Sequence, residues 1–88
     1  MEKPVIELFY SPLCPTCPQA KNVAREVAET KGVFLEEINV LSDDGRKRSE
    51  SYNIRGVPYI VLNGRIHISG VPSRERLESS LSESMESN

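Results

Sequence analysis

Residues 5–20 read VIELFYSPLCPTCPQA, and the fold is decided by how this stretch changes character. Val5 to Tyr10 is β-branched and aromatic, is bounded by Pro4 and by Ser11-Pro12, and is short enough for a strand covered on both faces. Beyond it, Ala20, Val23, Ala24, Val27 and Ala28 recur at helical spacing while Lys21, Arg25, Glu26 and Glu29 fill the other face. The spacing predicts a helix from about Cys14 to Thr30, stopped by Gly32 as its C-terminal cap. Cys14 and Cys17, the only cysteines of the chain, therefore stand where a strand hands over to a helix.

Outward from this junction, Phe34 to Val40 (FLEEINV) reads as a second strand. Strand, helix, strand is a βαβ unit, which implies parallel pairing with a right-handed crossover. Glu36 and Glu37 point to opposite faces, a pairing that suits an edge strand. Ser42 caps a second helix, about 43–52, with Asp43 and Asp44 in its first turn and Gly45 weakening it. Tyr59 to Leu62, Asn63-Gly64 and Arg65 to Ser69 form a hairpin, because Asn-Gly supplies both positive φ angles of a type I′ turn. Gly70-Val71-Pro72 breaks the last strand, Ser73 caps a final helix, and Leu77 and Leu81 dock it. From Ser82 the chain is Ser/Glu-rich and reads as a frayed end, so the domain is placed at 1–82 and a flexible tail at 83–88. The expectation is an α/β sandwich in the order β-α-β-α-β-β-α, a four-stranded mixed sheet with helices on both faces.

Composition narrows the function. A chain of 88 residues with 38% hydrophobic content fits one domain. The net charge of −2, with Lys/Arg and Asp/Glu interleaved, provides no basic stripe and argues against a nucleic-acid partner. No apolar run approaches the roughly 20 residues of a membrane span. Met1 to Pro4 leads into a strand and not into a signal-peptide core, so the expectation is a cytoplasmic protein without a membrane partner. Two cysteines are too few for the disulfide frameworks of small secreted domains, and Cys-x-x-Cys in such a chain points to redox or metal chemistry.

At the carboxyl end of the first strand, Cys14 receives the unpaired N–H groups and the positive end of the following helix. Both favour the thiolate, the nucleophile of disulfide exchange. Cys17, one turn further on the same face, is close enough to close a disulfide. Their positions assign Cys14 to attack a substrate disulfide and Cys17 to resolve the mixed disulfide. Pro15 and Pro18 fit the first helical turn, where missing N–H groups cost little. Only Pro15 and Thr16 stand between the cysteines, with no His or Lys to add positive charge. The Cys14 pKa is therefore expected to be moderately lowered, as in a reductant or balanced exchanger. A closed zinc site wants four Cys/His ligands, and the chain offers Cys14, Cys17 and His67, the last on a strand face that reads as solvent-facing. No metal is assigned. One alternative is a non-catalytic metal-binding, metal-transfer or thiol-based scaffold protein that uses the same two thiolates, which would need a dimer or a transfer role to complete a metal site. Two inert core cysteines are the other, which the flanking prolines disfavour.

Cys14-Pro15-Thr16-Cys17 after a strand, with Gly56-Val57-Pro58 opening a hairpin and a break at Gly70, resembles the thioredoxin superfamily over residues 4 to about 82. FYSPLCPTCP together with GVPYIVLNG is most similar to the small, glutaredoxin-sized thioredoxins of archaea and some bacteria. The resemblance implies a thiol-disulfide oxidoreductase that reduces protein disulfides, acts as a monomer and carries no bound cofactor beyond a redox-active Cys14–Cys17 disulfide. Thioredoxin reductase or another thiol donor, glutathione among them, would recharge it. It further implies a cis Pro58 against the sulfurs, pairing of the Val57 backbone with an extended substrate, and an opposite wall from Gly70 and Val71. Pro12 and Leu13 would form an apolar rim, with Pro15 and Thr16 also facing substrate. The alternative for the Val57 and Val71 side chains is core packing.

The chain departs from the family pattern at two kinds of position. Leu13 stands where larger thioredoxins carry Trp, and Leu8 where they carry a buried Asp. The proton acceptor for Cys17 is thereby open, with Glu7 and Glu37 as candidates by strand placement and ordinary solvated or paired carboxylates as the alternative. Glutaredoxins use Thr-Val-Pro and Gly-Gly followed by an acid to hold glutathione, whereas this chain has Gly56-Val57-Pro58 and Ser69-Gly70-Val71-Pro72-Ser73. Half of that pattern is missing, which favours protein disulfide reduction over glutathione-dependent activity.

Overall fold

Ile6 and Leu8 point to one face of β1 (Val5–Tyr10) and Glu7 and Phe9 to the other, and all four are buried. A strand buried on both faces belongs in the middle of a sheet. A computed structural model, which describes residues 4–85, places β1 there. The order along the chain is β1, α1 (Cys17–Lys31), β2 (Phe34–Asn39), α2 (Asp43–Ser51), β3 (Tyr59–Leu62), β4 (Ile66–Ser69) and α3 (Arg74–Met85). The sheet runs β2-β1-β3-β4. β1 and β2 are parallel, in register Leu8 to Glu37, while β1–β3 and β3–β4 are antiparallel.

The larger core lies between the sheet and the α1/α3 layer, where Ile6, Leu8, Ile60 and Leu62 meet Val27, Leu77 and Leu81. Ala20, Ala24 and Ala28 form the buried stripe of α1, and their small side chains let the helix approach the sheet closely. Full burial of Leu77 and of Leu81 contributes about 1.5–3 kcal/mol each. The opposite face is thinner: Phe9, Ile38 and Val61 pack with Tyr52, Ile54, Val57 and Tyr59. Glu36 and Glu37 on the edge strand do diverge. Glu36 pairs with Arg48 of α2, and Glu37 with Arg25 and Lys21 of α1.

The Asn63-Gly64 turn is as expected, with φ angles of 53° and 67°. The Ser42 hydroxyl accepts the Gly45 N–H at 2.9 Å, which caps α2. Several expectations need correction. α1 starts at Cys17 and not at Cys14, with Thr16 as its N-cap. Cys14 precedes Pro15, and the proline ring disfavours helical backbone in the residue before it. Pro15 therefore sits ahead of the helix, and Pro18 alone occupies the first turn. β2, α2 and β4 are each one residue shorter than their expected ranges.

α3 runs to Met85, past the expected start of a flexible tail at 83. Ser84 is buried, donates to the Leu81 carbonyl at 2.7 Å and accepts from Asn63 Nδ2 at 2.9 Å. The hairpin turn thus fastens the last helical turn, and Asn63 Oδ1 also accepts the Val5 N–H at 2.7 Å. Residues 86–88 of the expected tail lie outside the described residues. Gly45, read from sequence as a weak point, is a requirement: a Cβ there would overlap the Asn39 carbonyl and crowd the Ser42 hydroxyl. The start of α2 can lie on the end of β2 only because no side chain intervenes.

Candidate active site at the carboxyl end of β1

Where β1 ends, Ser11 turns the chain. Its hydroxyl accepts the Leu13 N–H at 3.1 Å and its carbonyl accepts the Cys14 N–H at 3.1 Å. Pro12 and Leu13 are thereby pushed outward, Leu13 to 83% exposure, and Cys14 is left half-buried behind them. Pro15 and Thr16 are exposed. Cys17, the first residue of α1, is 1% exposed. Both cysteines are free thiols.

The Cys14 sulfur lies 3.6 Å from Thr16 Oγ1 and donates at 3.6 Å to the Val57 carbonyl. The Val57–Pro58 peptide bond is cis, as the resemblance implied. Pro58 is buried, and its carbonyl accepts the Gly70 N–H at 3.0 Å, which ties the segment before β3 to the residue after β4. Gly70 has a φ of 85°, a left-handed conformation that glycine adopts without strain. Val71 is 40% exposed next to it. The two valines separate: the Val57 side chain packs on the Phe9–Ile38–Val61 cluster while its backbone faces Cys14, and Val71 is open to solvent.

The sulfurs differ electrostatically. Desolvation pushes the Cys14 thiol up, but hydrogen bonds from Cys17, the Thr16 hydroxyl and the backbone N–H groups of Thr16 and Cys17 outweigh it, so its pKa falls below 9.0. Desolvation and the hydrogen bond to Cys14 push Cys17 above 9.0, against a backbone bond from Ser11 and the charge of Lys21. The N–H groups at the start of α1 thus point at Cys14 although the helix begins three residues beyond it.

Of the two carboxylates considered as proton acceptors, Glu7 is on the wrong face. It is held by Arg48 and the Tyr52 hydroxyl on the α2 side, across the sheet from α1. Glu37 is on the α1 side, but Arg25 binds both its oxygens, at 2.6 and 2.9 Å, and holds its carboxyl below the usual range. Its tight pairing makes it a poor base. The cation that acts on Cys17 is Lys21, which the sequence reading passed over. Its ammonium lies 3.5 Å over the Tyr10 ring and 4.0 Å from Glu37. Its place one helical turn after Cys17 was a signal available in the sequence.

His67 is exposed and joins Tyr59 through Nδ1 at 2.9 Å. It stacks edge-on against Tyr52, on the face opposite α1, so the three residues weighed as zinc ligands do not meet. Among the described residues no three His, Cys, Asp or Glu side chains cluster to hold a metal ion, and no helix is long and apolar enough to cross a membrane.

Comparison with known proteins agrees with this geometry. A family model described as a thioredoxin domain matches residues 5–82. The chain is 44% identical over 79 residues to a thioredoxin of Methanocaldococcus jannaschii, covering 88% of this chain and 91% of that one. It is 41% identical over 73 residues to a probable thioredoxin of Archaeoglobus fulgidus, covering 83% and 80%. Its fold matches that of a mutant thioredoxin from Halobacterium salinarum with a TM-score of 0.83 at 24% identity, over 99% of this chain and 79% of that one. The chain belongs to the thioredoxin family and is a thiol-disulfide oxidoreductase.

Proposed function

We propose that the chain reduces disulfides of protein substrates, with Cys14 as attacking and Cys17 as resolving thiol. The observation that supports this most is the asymmetry of the pair: an accessible sulfur with a lowered pKa beside a buried one with a raised pKa. The Cys14 thiolate attacks one substrate sulfur, forming a mixed disulfide and releasing the other sulfur as a thiolate. Cys17 then gives up its proton, which the substrate thiolate released in the first step takes up, and attacks Cys14 Sγ, which breaks the mixed disulfide and releases the second substrate thiolate. Two electrons pass to substrate, and the pair closes as the Cys14–Cys17 disulfide, the only redox group the reaction needs.

The Val57 N–H has no hydrogen-bond partner among the described residues. With its carbonyl, which holds only the Cys14 thiol, it offers an extended substrate one residue of strand pairing beside the sulfur. Pro12, Leu13 and Val71 supply apolar contacts around it, with Pro15, Thr16 and Gly70 completing the surface. Pro58 holds the loop against the dithiol. The protein acts as a cytoplasmic monomer, recharged by a flavin-linked reductase in preference to glutathione, since only half of the glutathione pattern is present.

Insulin reduction by dithiothreitol tests the reading. Acceleration by the chain, lost in Cys14→Ser, is expected. No acceleration, or full activity in Cys14→Ser, contradicts it. Re-reduction of the oxidised pair by thioredoxin reductase with its nicotinamide donor, and not by glutathione, is the outcome expected for the donor.

A further inference from the structure

Beside Val57, on the side of the sheet that carries α2, a cleft of about 320 Å³ opens between the end of α2 and the loop that leads to Pro58. Val40, Ile54 and Val57 supply its apolar lining. Arg46, Glu50 and Arg55 are its charged groups, two guanidiniums against one carboxylate. Neither cation is committed. Arg55 has no ion-pair partner among the described residues, and Arg46 comes only within 4.0 Å of Asp43, with side chains 64% and 97% exposed. Gly56 leaves open space where a Cβ would stand.

The cleft is continuous with the site, because Val57 both lines it and accepts the Cys14 thiol at 3.6 Å. A substrate strand paired with Val57 advances about 3.3 Å per residue and turns alternate side chains to one side. A side chain one or two positions from the attacked cysteine therefore reaches the cleft. Resting on the disulfide-exchange reading above, we propose that this cleft is a specificity subsite that selects substrates with an acidic residue flanking the attacked cysteine. Arg46 and Arg55 receive the carboxylate, and Val40, Ile54 and Val57 receive its methylenes. The whole chain carries a net charge of −2, so its overall field favours basic peptides. A preference for acidic ones can come only from local cations.

The test uses disulfide-linked peptides of equal length in which the residues flanking the cysteine are Glu, Gln or Lys. Each rate is divided by the rate of the same protein on 2,2′-dithiodipyridine, a small uncharged disulfide. At low salt the Glu peptide is expected to exceed the Lys peptide by about tenfold in kcat/KM, the difference residing in KM, and to lose most of that advantage near 0.5 M salt. In the double variant Arg46→Gln/Arg55→Gln the ratio is expected to fall to one or below. A wild-type preference for Lys, no preference, or a ratio unchanged in the double variant overturns the subsite while leaving disulfide exchange intact. A wild-type chain that does not reduce dithiodipyridine overturns both.

Discussion

The Cys14 thiol donates to the Val57 carbonyl oxygen at 3.6 Å, across 43 residues of sequence. The contact needs a protonated sulfur. Once Cys14 ionises, the carbonyl loses its donor; on the proposed reading, activation of Cys14 as nucleophile and opening of the Val57 edge to a substrate N–H are then one event.

The surroundings of each sulfur set the pH profile of alkylation. Iodoacetamide should modify Cys14 with a midpoint below 9.0 and Cys17 only above it, because N–H groups and Thr16 stabilise the first thiolate and desolvation opposes the second. Lys21→Met should raise the Cys17 midpoint further, since the ammonium is the cation acting on that sulfur. Mass-resolved alkylation from pH 5 to 11 reads both, and a Cys17 profile unmoved in Lys21→Met would remove Lys21 from the account.

Leu13 touches solvent and not the core, with 83% of its surface exposed. Leu13→Ala should leave stability within about 0.5 kcal/mol of the parent while raising KM for insulin about three- to tenfold, as expected when an apolar contact is truncated. Steady-state kinetics with a parallel urea titration separate the two effects.

Gly45→Ala should be destabilising by about 2–3 kcal/mol, although alanine is the better helix former, because the added methyl meets the Asn39 carbonyl and α2 must shift. A chemical-denaturation midpoint equal to or above that of the parent would contradict this packing.

Acid stability follows from the edge strand. Arg48 holds Glu36, and Arg25 holds Glu37, below the ordinary value of 4.5. A carboxylate depressed in the folded state stabilises at pH values above its unfolded pKa, and that contribution is lost as pH falls through the folded value. Stability should thus be flat above about pH 5.5 and decline below pH 4.5, with each half-exposed pair contributing no more than about 1 kcal/mol. Arg48→Met should cost about 2–3 kcal/mol near neutral pH, because Glu7 is left buried without its cation. Urea titrations at pH 3.5 and 6.5 check both statements.

The element order was legible in the sequence because its punctuation is local: Asn63-Gly64 fixes a hairpin by φ angle, Ser42 a cap by its hydroxyl, and the alanine stripe a buried helix face. The first turn of α1 was misplaced because helical periodicity and the restraint of Pro15 on Cys14 compete over the same residues, and the proline wins. Gly45 and Ser84 were misread for a different reason. Their value lies in Asn39 and Asn63, contacts that no local pattern announces. At the site, the two cysteines and Pro58 could be placed from motif and spacing. The fates of Glu7 and Glu37 could not, because strand alternation says which faces they take but not that Arg48 and Arg25 occupy them.

The division of labour between the sulfurs is tested most directly by trapping. The chain is incubated with oxidised insulin-type substrate as Cys17→Ser and as Cys14→Ser, quenched in acid and resolved without reductant. A mixed disulfide through Cys14 should accumulate with Cys17→Ser and be nearly absent with Cys14→Ser. An equal or greater yield with Cys14→Ser would contradict the assignment of Cys14 as the attacking thiol.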